Sequence, residues 1–398
     1  MTWTMPPPPH RLPTVSATSP RTDDLLSLVT ARHQEFLTLM TEAQSHFLAA
    51  HQHVAAHQPV TAQAPGVRSL VFVVSTGRCG STAMSNILNA HPDILSLSEF
   101  FLTVRTTLPA EGLVPAEEFW HTLADPHPLF NAMVRGGAGL PEFLYPDLAG
   151  ARFTANTGIP AISLTSLPHL TNTPDDLFDA LAAEVPTWPA QSARDHYLRL
   201  FGWFAARFGG TVVVERSGMS LGCVPWLRQC FPDARFVHLH RNGPDTAVSM
   251  SRHTGFRMQL LVSDTLELLD RQADRLNTFA LPVDLASALG DRIDRDHLMG
   301  LDLPVTRFAQ LWSDLIEHGT RELAGTQHLA LSYEDLLATP EPTLRELAAF
   351  LDVDADENWM RHSAASLDGT RAGAAERLPE FEALKQICAP MTDQLRMR

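Results

Sequence analysis

The sequence predicts an α/β fold, a parallel β-sheet flanked by helices. Three observations carry this prediction. Short apolar runs alternate with stretches of helical period. The first run, SLVFVVS at Ser69–Ser75, is continuously apolar, as in a strand buried on both faces. A glycine-bearing turn, STGRCGST at Ser75–Thr82, joins that run directly to a helical stretch.

The elements follow in chain order. Residues 1–20 are rich in Pro, Ser and Thr and predict a disordered arm. Over 21–58, Leu25, Leu28, Val29, Phe36, Leu39, Met40, Phe47 and Leu48 recur mostly at three- and four-residue steps, which predicts an amphipathic helix with Thr22 or Asp23 near its cap. Residues 59–66 (PVTAQAPG) read as a linker, and 67–398 as the main domain. Further strands are predicted at Val212–Val214, Arg235–His240 and His328–Leu331, with another one before Glu99. Helices are predicted at Ser81–Ala90, Asp175–Ala183, Ala193–Phe208, Pro244–His253, Asp264–Phe279, Thr306–Leu323 and Thr343–Leu351. The proline-rich stretch at about 100–190 reads as an irregular insertion or lid.

Composition excludes several classes. With 44% hydrophobic and 19% charged residues the 398-residue chain can bury a sizeable core. No run approaches the roughly 18 apolar residues of a membrane span. The first residues, MTWTMPPPPH, lack the basic and apolar regions of a secretion signal. Four cysteines without a CxxC pair suggest neither a disulfide framework nor a zinc site, and the expected compartment is the cytoplasm. The net charge of −15 argues against nucleic acid as a partner. Yet Arg194–Arg257 holds nine arginines against four acids, whereas Leu261–Met360 holds 20 acids against seven arginines. The basic segment suits a small polyanion. Of the 30 basic residues only Lys385 is a lysine, so no catalytic step can use one within the first 384 residues.

Two constellations carry chemistry. In the first, Gly77 and Gly80 permit left-handed backbone, so that successive N–H groups of Thr76, Gly77, Arg78, Cys79 and Gly80 can converge on an anion. Ser81 and Thr82 at the helix start add hydroxyls, and Arg78 adds charge. The loop departs from the nucleoside-triphosphate pattern GxxxxGK(S/T): Ser75 replaces its first glycine and Ser81 its lysine. That argues against a kinase or ATPase. In the second, Arg241 follows the strand Arg235–His240 and Ser249 lies two helical turns on, a fork and a hydroxyl for one phosphate. Arg216 follows Val212–Val214 and belongs to the same sheet edge.

Together these segments resemble the PAPS-dependent sulfotransferases, particularly their bacterial branch, whose fold is a P-loop nucleotide-hydrolase-like sheet. VFVVSTGRCGSTAMSNIL is similar to the family's 5′-phosphosulfate loop, and FPDARFVHLHRNGPDTAVSMSRH to its 3′-phosphate motif. LSYEDLLATPEPTLRELAAFLDV resembles the family's Tyr-Glu-Asp-Leu segment, which brings Tyr333 to the donor site. The resemblance implies transfer of a sulfuryl group from 3′-phosphoadenosine 5′-phosphosulfate (PAPS) to a hydroxyl of a carbohydrate, lipid or natural product, without a metal. It implies Glu99 of SLSEFF as general base, with His121, His127 and His169 in reserve, and Arg216 as a clamp on the transferring group. Arg78 stands where the cytosolic branch has a lysine. An arginine keeps its proton and serves only as an electrostatic clamp. A late Arg/Gly loop of the family points to Arg371. His238 and His240 read as packing residues. The helix at 21–58 resembles helices beside polyketide-synthase domains, implying docking to a synthase partner or a second copy. The alternative reading is a non-catalytic PAP-binding partner of a biosynthetic assembly, where PAP is the desulfated donor.

Overall fold

The computed structural model describes residues 66–104, 108, 112–268, 291–370 and 372–396. The arm, the amphipathic helix and nearly all of the linker lie outside the described residues, as do Arg371 and the last part of the helix expected at 264–279.

Five strands, β1 (Ser69–Val74), β2 (Ile94–Ser98), β3 (Val212–Arg216), β4 (Arg235–His240) and β5 (His328–Ser332), form one sheet in the order β2-β3-β1-β4-β5. Every pairing is parallel. Val71 of β1 sits opposite Val214 of β3 on one side and Arg235 of β4 on the other. Strand alternation divides the apolar run between two cores: Phe72 and Val74 join the larger one, Val71 and Val73 the smaller. The larger is aromatic near the sheet, where the Phe72 and Phe231 rings lie 5.3 Å apart and those of Phe101 and Tyr197 5.1 Å apart. In the smaller, Met84, Ile87 and Leu88 of the helix Ser81–Asn89 meet Leu344, Leu347 and Leu351 of the helix Pro340–Leu351.

Local signals explain several helix ends. In Ala193–Phe208 the side chain of Ser192 accepts the Asp195 amide at 3.1 Å, and Gly209 with φ +86° ends the helix. The predicted boundaries of that helix match the observed ones. Residues 100–190 depart from the predicted irregularity. They fold into the helices Phe100–Thr103, Ala116–Ala124, Pro128–Arg135, Ala161–Leu164, Ser166–Leu170 and Pro174–Glu184. The reason lies in where the prolines fall. Pro128 and Pro174 occupy first helical positions, and Pro115 and Pro160 precede helices, so they start helices rather than break them. Their apolar residues are core, with Phe119, Phe130 and Tyr145 fully buried. The helix expected at 264–279 begins earlier, as Thr254–Leu268.

A C-terminal helix, Phe381–Arg396, was not predicted. It packs on Val305–Leu323, where Ser313 donates to the Ile387 carbonyl at 3.2 Å and Gln394 to the Thr320 hydroxyl at 2.8 Å. Lys385 projects from it and pairs with Glu382 at 3.2 Å, half exposed. Among the described residues no helix is long and apolar enough to cross a membrane.

Candidate active site

Parallel strands deliver their carboxyl ends to one edge, and each strand here ends at a residue singled out from the sequence. Ser75 follows β1, Glu99 follows β2, Arg216 closes β3, Arg241 follows β4 and Tyr333 follows β5. The chain passes from β1 outward to β2, returns to β3 beside β1, and then crosses to β4 on β1's other flank. The loop after β1 therefore sits at the crossover point of the sheet.

That loop is wound tightly. Gly77, Arg78 and Gly80 have φ of +75°, +57° and +89°. The Gly77 amide donates to the Ser75 hydroxyl at 3.1 Å, and the Thr76 hydroxyl donates to the Gly77 carbonyl at 3.1 Å, so both side chains brace the turn. Gly80 packs under the Tyr333 ring so closely that a Cβ there would lie 2.1 Å from a ring carbon. The Cys79 side chain points into the smaller core, and burial pushes its thiol up, so this residue can offer the site only its backbone. The helix that follows starts at Ser81, half-buried, with Thr82 exposed; no side chain caps it and its first turn holds no acid. Its first amides are thus left for an anion.

Among the described residues three arginines reach this edge, and each holds a carboxylate. Arg78 meets Glu142 at 3.3 Å and donates from Nε to the Ser249 hydroxyl at 3.1 Å. Arg216 meets Glu99 at 2.6 Å and also bonds Ser85 and Ser98. Arg241 meets Asp245 at 3.2 Å, with its guanidinium carbon 5.6 Å from the centre of the Tyr333 ring. The phenol of Tyr333 donates to the Asp368 carbonyl at 3.0 Å. Ser249 is thereby brought to Arg78 by the hydrogen bond, and Arg241 lies two helical turns before it.

Glu99 is 3% exposed, with φ +55°. Its side chain does not cap the short helix that follows; Oε1 accepts from Arg216 and Oε2 from the Gly218 amide at 2.7 Å. Burial pushes its carboxyl above the ordinary range, against the pull of Arg216, and the charge of Glu142 adds to the rise. Behind it Glu215 is fully buried and pushed up to about 7 by burial.

An open cavity joins these groups. Gly77, Arg78 and Ser81 form one wall, Glu99 and Gly218 another, and Leu102, Leu140, Met219 and Phe256 an apolar remainder. Glu142 and His253 complete it, with the imidazole Nε2 3.3 Å from Glu142 and Nδ1 accepting the Gly255 amide at 3.1 Å. Of the four non-glycine residues with left-handed backbone among the described residues, Arg78, Glu99 and Met219 line this one cavity. Each such residue costs about 1–3 kcal/mol, and strain of that kind concentrates at functional sites.

The reserve histidines are elsewhere. His121 is exposed and pairs with Asp125 at 3.1 Å. His127 is buried, accepts the Phe130 amide and stacks on the Phe130 ring. His169 is half-buried, its pKa held down to about 4 by desolvation and the nearby Arg216, and it does not line the cavity. Sequence reasoning missed Glu142, His253 and Asp245. The last had a signal, since Asn242 caps the helix Gly243–Ser251 by accepting the Asp245 amide at 2.9 Å. Among the described residues no His, Cys, Asp and Glu group is arranged to hold a metal ion.

A family model described as "Sulfotransferase family" matches residues 70–302, more than half of the chain. The protein belongs to the sulfotransferase family. Among solved structures it is similar to the sulfotransferase domain from the curacin biosynthetic pathway, at 17% identity and a TM-score of 0.47, covering 82% of this chain and 97% of that one. The sulfotransferase from Alicyclobacillus acidocaldarius is 17% identical with a TM-score of 0.39, covering 83% and 95%. The sulfotransferase domain of the Synechococcus PCC 7002 olefin synthase is 16% identical with a TM-score of 0.39, covering 86% and 91%. No curated protein matches the sequence.

Proposed function

We propose that the protein transfers a sulfuryl group from PAPS to a hydroxyl of a small acceptor with an apolar body. One observation carries the reading: Glu99, a buried carboxyl with a raised pKa, faces the uncapped helix start and the Gly77–Arg78 turn across a single cavity. The donor, when bound, supplies an activated S–O bond. Backbone amides from Arg78 to Ser81, with the Ser81 and Thr82 hydroxyls, hold its 5′-phosphosulfate, while Arg241 and Ser249 hold its 3′-phosphate. Tyr333 packs beside both.

Glu99 takes the proton of the acceptor hydroxyl as its oxygen bonds to sulfur. The bond from sulfur to the phosphate oxygen breaks, and its electron pair leaves on that oxygen. Arg216 directs Glu99 and Arg78 neutralises charge at the loop; neither surrenders a proton. Leu102, Leu140, Met219 and Phe256 favour an acceptor whose hydroxyl sits on an apolar chain or ring over a sugar.

The test supplies PAPS labelled in its sulfuryl group, with aliphatic alcohols, phenols and sugars as acceptors. The reading predicts label on an alcohol and stoichiometric release of PAP. PAP binding without transfer to any acceptor would replace it with a nucleotide-binding partner protein.

A further inference from the structure

Asp245 lies between the two residues assigned above to the 3′-phosphate. Arg241, Asp245 and Ser249 follow each other at four-residue steps, the last two on one face of the helix Gly243–Ser251. The carboxylate is 3% exposed. Its Oδ2 accepts from Arg241 and Asn242, each at 3.2 Å, and from the Gly373 amide at 2.8 Å. Its Oδ1 accepts from the Ala375 amide at 2.9 Å. Gly373 and Ala375 lie 128 and 130 residues further along the chain. Asn242 is itself held by Glu334, which accepts its amide at 3.1 Å and its side chain at 2.8 Å.

A buried negative charge beside a site for a doubly charged phosphate repels the ligand, so a bystander there would weaken binding. The structure points instead to a constructive role. We propose that Asp245 is a positioning residue that aims Arg241 at the donor's 3′-phosphate and fastens the backbone at Gly373 and Ala375 to the same edge. The inference rests on the donor reading given above. Burial acts to raise the Asp245 carboxyl, but the Ala375 amide, Asn242, the Gly373 amide and Arg241 together more than offset it, and the group is held below the ordinary carboxylate range. The carboxylate is thus charged whenever the site is working.

The two roles predict opposite signs for Asp245→Asn. An amide keeps one acceptor oxygen and no charge: NH₂ in place of Oδ2 strips Arg241, Asn242 and the Gly373 amide of their partner, NH₂ in place of Oδ1 strips the Ala375 amide, and in either pose the ion pair with Arg241 is lost. A bystander charge, once removed, leaves PAP bound more tightly; a positioning residue leaves it bound more weakly. Calorimetry on the full chain should show PAP affinity falling at least tenfold and AMP affinity, which lacks the 3′-phosphate, changing less than threefold. The KM for PAPS should rise with kcat within threefold. Hydrogen exchange at the amides of Gly373 and Ala375 should accelerate. If the Asn variant fails to unfold cooperatively, Asp245→Glu replaces it: it keeps the charge and shifts the carboxylate by one methylene, so a bystander leaves PAP affinity unchanged and a positioning residue weakens it. PAP affinity equal to or above wild type in a folded variant overturns the inference alone. A wild-type chain that binds no PAP overturns it together with the donor reading.

Discussion

Replacing Glu99 with Gln removes one charge from the cavity while keeping the side chain's shape. The carboxylate satisfies two donors, Arg216 at 2.6 Å and the Gly218 amide at 2.7 Å. The amide satisfies one and faces the other with its own NH₂. Losing a charged hydrogen bond costs about 1.5–3 kcal/mol, and stripping one partner from a buried ion pair costs about 3–5 kcal/mol. Against this, Glu99 no longer has to hold a charge out of water, the penalty that raises its carboxyl. Arg216 also keeps Ser85 and Ser98. The balance is a loss of about 1–3 kcal/mol of stability, small enough to leave the fold intact. Turnover should suffer more. A positioned general base is worth roughly 10²- to 10⁴-fold, so kcat for sulfuryl transfer should fall by that factor, while PAP affinity by calorimetry stays within threefold. The pH profile adds a second readout. Because Glu99 must be ionised to take a proton and its carboxyl is raised, the wild-type acid limb should lie above the ordinary carboxylate range and vanish in the variant. A folded Glu99→Gln protein with kcat within tenfold of wild type would refute the base assignment.

Two further substitutions probe the frame of the site. In Gly80→Ala the new Cβ meets the Tyr333 ring at 2.1 Å on a backbone with φ +89°; left-handed strain of about 1–2 kcal/mol and overpacking of about 1–3 kcal/mol should lower stability in denaturant titrations by about 2–5 kcal/mol and weaken PAP binding. Glu215, raised to about 7 in the fold, contributes stability below the ordinary carboxylate pKa that is lost as pH rises through about 7. Glu215→Gln should therefore gain stability relative to wild type between pH 5 and pH 8, by about 3 kcal/mol at 1.36 kcal/mol per unit. A difference between the two proteins that does not change with pH would contradict the assignment of a buried, proton-binding Glu215.

Much of the candidate site's layout was legible because it is local in sequence. A continuous apolar strand, two glycines and a hydroxyl-bearing helix start occupy 14 consecutive residues, Ser69–Thr82. Arg241 and Ser249 share one strand-helix segment in the same way. What was hidden depends on contacts between distant segments. Glu142 meets Arg78 across 64 residues, and Asp245 meets Gly373 across 128. Nothing near Glu142 in the chain announces Arg78, and nothing near Asp245 announces Gly373, although its partner Arg241 stands four residues before it. The stretch 100–190 was misread because proline reads as a breaker unless its place in the helix is known, and Pro128 and Pro174 stand where their missing N–H costs nothing. Its short helices also leave too few turns for a clear period.

In the proposed function the loop at Ser75–Thr82 and the pair Arg241 and Ser249 together hold one 3′-phosphorylated nucleotide. Calorimetric titration of the full chain with PAP and with AMP, in wild type and in Arg241→Ala, tests it most directly. Wild type should bind PAP more tightly than AMP by about 1.5–3 kcal/mol, the worth of a charged hydrogen bond, and Arg241→Ala should erase this difference while leaving AMP affinity unchanged. Equal affinity of wild type for PAP and AMP, or an undiminished preference for PAP in Arg241→Ala, would contradict it.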